Sequence, residues 1–179
     1  MPTLAAILII SGPPGAGKTT VSRRLAETSA GSAVHLHTDD FYGAIRHGFI
    51  APWLAESHGQ NQTVTRAIVA SAAAYAAGGY FVVVDGVVGP WFLDSYREGA
   101  AEAGVTLDYV VLRADQATVA ARARDRLDVP LPEYPPGLLE KFADLGALEG
   151  HAIDSGAEPV EALVERIRQG CAEGRFRLG

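Results

Sequence analysis

Five short strand-like runs punctuate the chain, and segments of helical pattern separate them. Residues 4–10 are apolar without interruption, as a strand buried on both faces of a parallel sheet would be. Residues 34–38 form the second run, entered just after Gly31, which ends a helix carrying Val21 and Leu25 on one side. Residues 80–85 are apolar until the final Asp85, residues 106–112 form a fourth strand and residues 151–154 a short fifth. Between them, residues 61–77 predict a long helix stopped by Gly78-Gly79, with an alanine-rich, tightly packed end at 70–77. Residues 93–103 predict a helix ended by Gly104, and residues 116–126 an arginine-rich one. Residues 138–148 read as helical, and Pro159 opens a last helix that runs to about Cys171. Residues 41–57 are irregular and aromatic-rich, and the four prolines within 128–137 exclude regular structure there. Strands alternating with helices predict an α/β domain around a parallel sheet with helices on both faces.

Ligands in such sheets bind at the carboxyl ends of the strands. Three positions converge on that rim. The first is Gly12-Pro13-Pro14-Gly15-Ala16-Gly17-Lys18-Thr19, which matches the P-loop (Walker A) pattern G-x-x-x-x-G-K-[ST] and falls between a strand and a helix. Glycines there let backbone N–H groups close around phosphate oxygens, and the helix N-terminus adds its positive dipole end. The chain holds two lysines, Lys18 and Lys141, against thirteen arginines, yet a lysine stands in the loop, where a compact ammonium reaches the β- and γ-phosphates. The alternative is a glycine-rich turn that only joins strand to helix. Lys18 would offset charge on the transferred phosphoryl group, and the Thr19 hydroxyl would ligate Mg²⁺. Thr20 would touch the α-phosphate or pack within the helix.

Asp85, at the end of its strand, is placed as a Walker B carboxylate for Mg²⁺, or as a helix cap or turn residue. Asp39 and Asp40 close the second strand. One would face the site and the other cap the following helix, with Asp39, nearer the strand, orienting an acceptor hydroxyl and taking its proton. Both could also be solvated caps. Arg122 and Arg126, four apart and on one helical face beside the proline-rich stretch, suit a lid closing on phosphates; a solvated face paired with Asp125 and Asp128 is the alternative. His35 and His37 share one face of their strand, and with no further ligand at close spacing they read as hydrogen-bonded structural histidines. His47, Trp53, His58, Gln60 and Asn61 mix polar donors with aromatics. Trp53, His58 and Asn61, with Asp39 and Asp40, are the candidate acceptor-binding residues, unless the segment is an ordinary surface loop.

Composition narrows the function classes. The 179 residues suit a single domain with one sizeable core. A net charge of −6 argues against a general nucleic-acid or membrane-surface binder. Cys171 is the only cysteine, so an internal disulfide is excluded, which fits a reducing cytoplasm. No basic segment precedes the first apolar run, and that run is too short for a signal or membrane helix. Asn61 is the only asparagine, so an N-K-x-D guanine motif is excluded.

Taken together, Gly12–Thr19, the strand-end acid in His37-Thr38-Asp39-Asp40, Arg122-x-x-x-Arg126 and Leu138-Leu139-Glu140-Lys141-Phe142 resemble the small P-loop kinases of the nucleoside-monophosphate-kinase-like group. The resemblance is nearest to chloramphenicol phosphotransferase-like and gluconate kinase-like proteins. It implies a P-loop NTPase three-layer α/β/α sandwich with a five-stranded parallel sheet in order 2-3-1-4-5. It also implies a lid at about residues 122–141 between strands 4 and 5, adenine near Asp154-Ser155-Gly156-Ala157, and ATP with Mg²⁺ as phosphoryl donor. The long, proline-rich lid departs from many relatives, and residues 41–62 match no assignable substrate pocket. The reading is a cytoplasmic, ATP-dependent kinase, monomer or homodimer, phosphorylating a hydroxyl of a sugar acid, sugar or antibiotic-like compound. Two rivals stay open. A nucleoside or nucleotide kinase would want arginines for a second phosphate, and only Arg46 and Arg66 lie in the acceptor segment. The other rival is a non-catalytic ATP-binding regulatory module.

Overall fold

The computed structural model describes residues 7–115, 118, 137–156 and 158–179. Eleven regular elements follow one another among these residues. They are β1 (Ile7–Ser11), α1 (Lys18–Glu27), β2 (Ala33–His37), α2 (Thr38–Gly43), α3 (His58–Ala77), β3 (Phe81–Asp85), α4 (Leu93–Glu102), β4 (Leu107–Arg113), α5 (Leu138–Ala143), β5 (Ala152–Asp154) and α6 (Val160–Ala172). Single 3-10 turns at Ala55–Ser57 and Pro90–Phe92 lead into α3 and α4, and a longer one at Gly146–His151 leads into β5.

The strands form one parallel sheet in the order β2-β3-β1-β4-β5, as the resemblance implies. Alternation along each strand sends side chains to both faces. Ile7, Ile9, Val82, Val84, Tyr109 and Val111 pack with Val64 and Ile68 of α3 and Leu93 and Tyr96 of α4. Leu8, Ile10, Val83, Val110 and Leu112 pack on the other face with Val21 and Leu25 of α1 and Leu163 and Ile167 of α6. Both faces are covered, so β1, β3 and β4 read as continuous apolar runs. None of the helices among the described residues is long and apolar enough to cross a membrane.

Three element boundaries differ from the sequence reading. β2 stops at His37, and Thr38 already begins α2, whose first turn carries Asp39 and Asp40 at the favourable end of the helix dipole. α3 begins at His58, three residues before Asn61. Side-chain clamps account for the early start: the Ser57 hydroxyl reaches the Pro52 and Leu54 carbonyls, and the Gln60 amide grips Ile50 at both N–H and C=O. The expected helix over 138–148 is two pieces. Asp144 is extended (φ −130°), Gly146 has φ +56°, and the Gly146 N–H donates to Asp144 Oδ1. That local bond competes with the helical ladder and breaks it. The expected helix at 116–126, the arginines Arg122 and Arg126, and the proline-rich stretch up to residue 136 lie outside the described residues, as does Ala157; of that helix only Thr118 is described.

Candidate active site

The P-loop runs from the end of β1 into α1. Gly12, Gly15 and Gly17 have φ of +138°, +79° and +89°, a region that L side chains rarely adopt. Gly12 is doubly constrained, because a Cβ there would lie 2.2 Å from the Leu112 carbonyl oxygen of β4. The loop is tied down from its far side. Ser155, buried just past β5, places Oγ 2.8 Å from the Ala16 carbonyl oxygen and 2.9 Å from that of Arg113. Lys18 Nζ folds over the loop and donates to the Pro13 carbonyl at 3.0 Å. Thr20 is exposed in the first turn of α1.

Parallel pairing brings His37 of β2 and Ile10 of β1 level with Asp85 at the carboxyl end of β3. Asp85 is fully buried, and its carboxylate gathers three partners. Thr19 Oγ1 donates to Oδ2 at 2.7 Å, while His35 Nε2 and His37 Nδ1 lie 2.7 and 2.8 Å from Oδ1. Burial alone would raise the Asp85 pKa; the hydrogen bonds from His35, His37 and Thr19 outweigh it and hold the carboxyl well below the usual range. The other ring nitrogen of His37, Nε2, lies 3.5 Å from Asp39 Oδ2. Held first by Asp39 and then by Asp85 against the cost of its partial burial, His37 is pushed up to about 10. Asp39 is correspondingly lowered, chiefly by His37 and further by the charge of Lys18, although burial opposes the shift.

Asp39 also lines a cavity of about 1350 Å³ enclosed by the start of α2, the segment that follows it, α3, the loop after β3 and α5. Trp53, His58 and Asn61 share that wall. Asp40 and Gln60 are not among its described lining residues, and His47 is exposed elsewhere. The Asn61 amide is largely committed within the protein: Nδ2 donates to the Pro52 carbonyl and to Ser57 Oγ, and Oδ1 accepts from the Tyr42 hydroxyl. The sequence reading missed Trp91 and Lys141. Trp91 follows β3 in the loop Gly89-Pro90-Trp91-Phe92, and the Lys141 ammonium sits 5.2 Å from its ring centroid. The carboxyl-end rule that singled out Asp85 points equally at the loop after it, so Trp91 was within reach of that argument.

Thr19 and Asp85 are hard oxygen donors held together beside the glycine loop, the donor chemistry that suits Mg²⁺. The two histidines serve Asp85, and among the described residues no group of three or more His, Cys, Asp or Glu is arranged to hold a metal by itself.

Comparison with known proteins agrees with the fold. A family model described as an AAA domain matches residues 7–132. The structure of a sugar kinase from a Janibacter species superposes with a TM-score of 0.65 at 20% identity, over 94% of this chain and 96% of that one. A gluconokinase from Sinorhizobium meliloti gives 0.62 at 23% identity, over 93% and 91%. A tunicamycin resistance protein from Deinococcus radiodurans gives 0.67 at 18% identity, over 97% and 98%. At these identities the likeness is one of fold, and the fold is that of P-loop kinases. No curated protein matches the chain.

Proposed function

Since the chain belongs to the AAA domain family and has the fold of P-loop kinases, we propose that it is an ATP-dependent phosphotransferase acting on a hydroxyl group of a small molecule. One observation carries the reading: Asp39 lines a large cavity while its carboxylate feels the charge of Lys18 from the P-loop side. A carboxylate between an acceptor cavity and a phosphate cradle suits the base of a phosphoryl transfer.

In the proposed reaction an acceptor alcohol in the cavity presents its oxygen to the γ-phosphorus of ATP. The new O–P bond forms as the bond from Pγ to the β–γ bridging oxygen breaks, giving ADP and a phosphate monoester. The hydroxyl proton passes to Asp39 and then to solvent. The P-loop N–H groups and Lys18, swung away from the Pro13 carbonyl, hold the phosphates. Thr19 and Asp85 would hold Mg²⁺, which would supply neutralisation of phosphate charge. The positive charge of His37 keeps Asp39 ionised and able to accept a proton. The proposal also keeps Arg122 and Arg126 as lid arginines on the transferred group.

The test is ADP formation with Mg²⁺-ATP against a panel of sugars, sugar acids, nucleosides and hydroxylated natural products. Acceptor-dependent turnover is expected, abolished in Lys18→Ala and reduced about 10²–10⁴-fold in kcat in Asp39→Asn, with the KM for ATP little changed. Nucleotide binding without turnover on any acceptor would point instead to the regulatory module. Full turnover in Asp39→Asn would remove the base assignment.

A further inference from the structure

The wall of the acceptor cavity has a chemistry that the kinase reading does not use, and the inference below rests on that reading. Five of its described lining residues are Phe, Tyr or Trp: Tyr42, Phe49, Trp53, Trp91 and Phe92. Three of these stand about half exposed, Phe49 at 50%, Trp53 at 48% and Trp91 at 50%. Large apolar side chains gathered around one opening, and left wet, mark a binding site for apolar surface. The opening leads to Asp39, so what covers the aromatics also reaches the phosphoryl-transfer machinery.

Thr38, His58, Gln62, Thr65, Arg66 and Ser95 also line the wall, and the Asn61 amide there is committed. Both Asn61 N–H groups are used on Pro52 and Ser57, and its oxygen already accepts from Tyr42. Lys141 sits over the Trp91 ring. The volume, about 1350 Å³, exceeds the range of about 300–1,000 Å³ usual for sites that take drug-sized ligands. A single sugar ring would leave much of the aromatic wall uncovered.

We propose that the acceptor is a ring-bearing alcohol larger than a monosaccharide, which lays its apolar body against Phe49, Trp53 and Trp91 and delivers one hydroxyl to Asp39. Specificity then comes from apolar burial along the wall, and the reacting hydroxyl is selected by its distance from that surface.

Trp53 and Trp91 are the only two tryptophans of the chain, so intrinsic fluorescence reads this wall directly and needs no turnover. The full-length protein is titrated with phenylcyclohexanol and abietinol, and separately with glucose and gluconate. ADP release is followed in parallel samples containing Mg²⁺-ATP. Saturable emission changes are expected with both ring alcohols and weaker or no binding with glucose and gluconate. In Trp53→Ala the dissociation constant of the ring alcohols should rise about tenfold or more, with Trp53→Phe close to wild type. Thermal melts of both variants check that they fold, and Phe49→Ala repeats the measurement with both reporters intact. The acceptor class is overturned if glucose or gluconate binds more tightly than the ring alcohols. It is equally overturned if neither ring alcohol gives a saturable change, or if Trp53→Ala and Phe49→Ala both bind within twofold of wild type. Ring alcohols that bind as expected but release no ADP would support the chemistry of the wall and count against phosphoryl transfer, so the two readings fail separately.

Discussion

Two carboxylates face the ring of His37, Asp85 at 2.8 Å from Nδ1 and Asp39 at 3.5 Å from Nε2, and a neutral imidazole can donate to only one of them. The protonated ring donates to both, which is why its pKa rises from the usual 6.5 to about 10. A group whose pKa is raised by folding stabilises the native state fully below its unfolded pKa, and that contribution is lost as pH climbs through the folded value. The stability difference between wild type and His37→Gln should therefore be greatest below about pH 6.5 and shrink between there and about 10, above which only its pH-independent part is left. Denaturant midpoints measured across that window check it; a difference independent of pH would mean that the ring is not held as a cation. Asp39 acts in the opposite sense. Its lowered pKa contributes stability at neutral pH that is lost as the solution is acidified through its folded value. Part of this cluster was legible in the sequence. The P-loop pattern fixed Thr19, the strand end picked out Asp85, and strand alternation put His35 and His37 on one face. What they bind was not legible, because the level of His37 with Asp85 is set by the pairing of β2 with β3, two segments 44 residues apart at their closest in number.

β1, β3 and β4 were readable because both faces of the sheet are buried there, so the apolar signal needs no phase. The short connecting elements were not. α2 starts directly at Thr38, α3 gains three residues from the clamps of Ser57 and Gln60, and the break after α5 depends on one bond from the Gly146 N–H to Asp144. The last two of these boundaries are decided by side-chain bonds that periodicity does not encode. The seat of α2 matters most for the site, since it aims Asp39. Gly86, just past β3, leaves it room: a Cβ at that position would lie 1.8 Å from Thr38 Oγ1 and within 3 Å of two further Thr38 atoms. Gly86→Ala must therefore move α2 or β3. The expected result is a loss of about 1–3 kcal/mol in unfolding free energy, together with a fall in kcat of about tenfold or more from a misplaced Asp39. Chemical denaturation and steady-state kinetics on the same variant check both parts. Unchanged kcat alongside a full loss of stability would separate the seating of α2 from catalysis.

The carboxy-terminal packing and the proposed chemistry sit at opposite ends of the sheet. The P-loop, Asp39 and Asp85 occupy the carboxyl edge, whereas the chain's last residues close the amino-terminal end of β4. There the Tyr109 N–H donates to the Phe176 carbonyl and the Leu178 N–H to that of Leu107, while Phe176 is fully buried in the core shared by α1 and α6. Arg177 Nε donates to Asp108 Oδ1 at 2.9 Å, and Asp108 is fully buried. Breaking such a pair from one side leaves a charge in the interior, which costs more than the pair itself contributes. Arg177 is partly exposed, so water tempers the loss, and Arg177→Ala should cost about 2–4 kcal/mol. For a chain of this size that corresponds to a fall of roughly 10 °C in melting temperature. Since the pair lies at the far end of the strand from Asp39 and the aromatic cavity, kcat/KM at a temperature well below the transition should stay within about twofold of wild type. Calorimetry and kinetics on Arg177→Ala test the separation. A large loss of kcat/KM in protein still fully folded would show that the amino-terminal edge is coupled to the site, and the division of labour across the sheet would have to be abandoned.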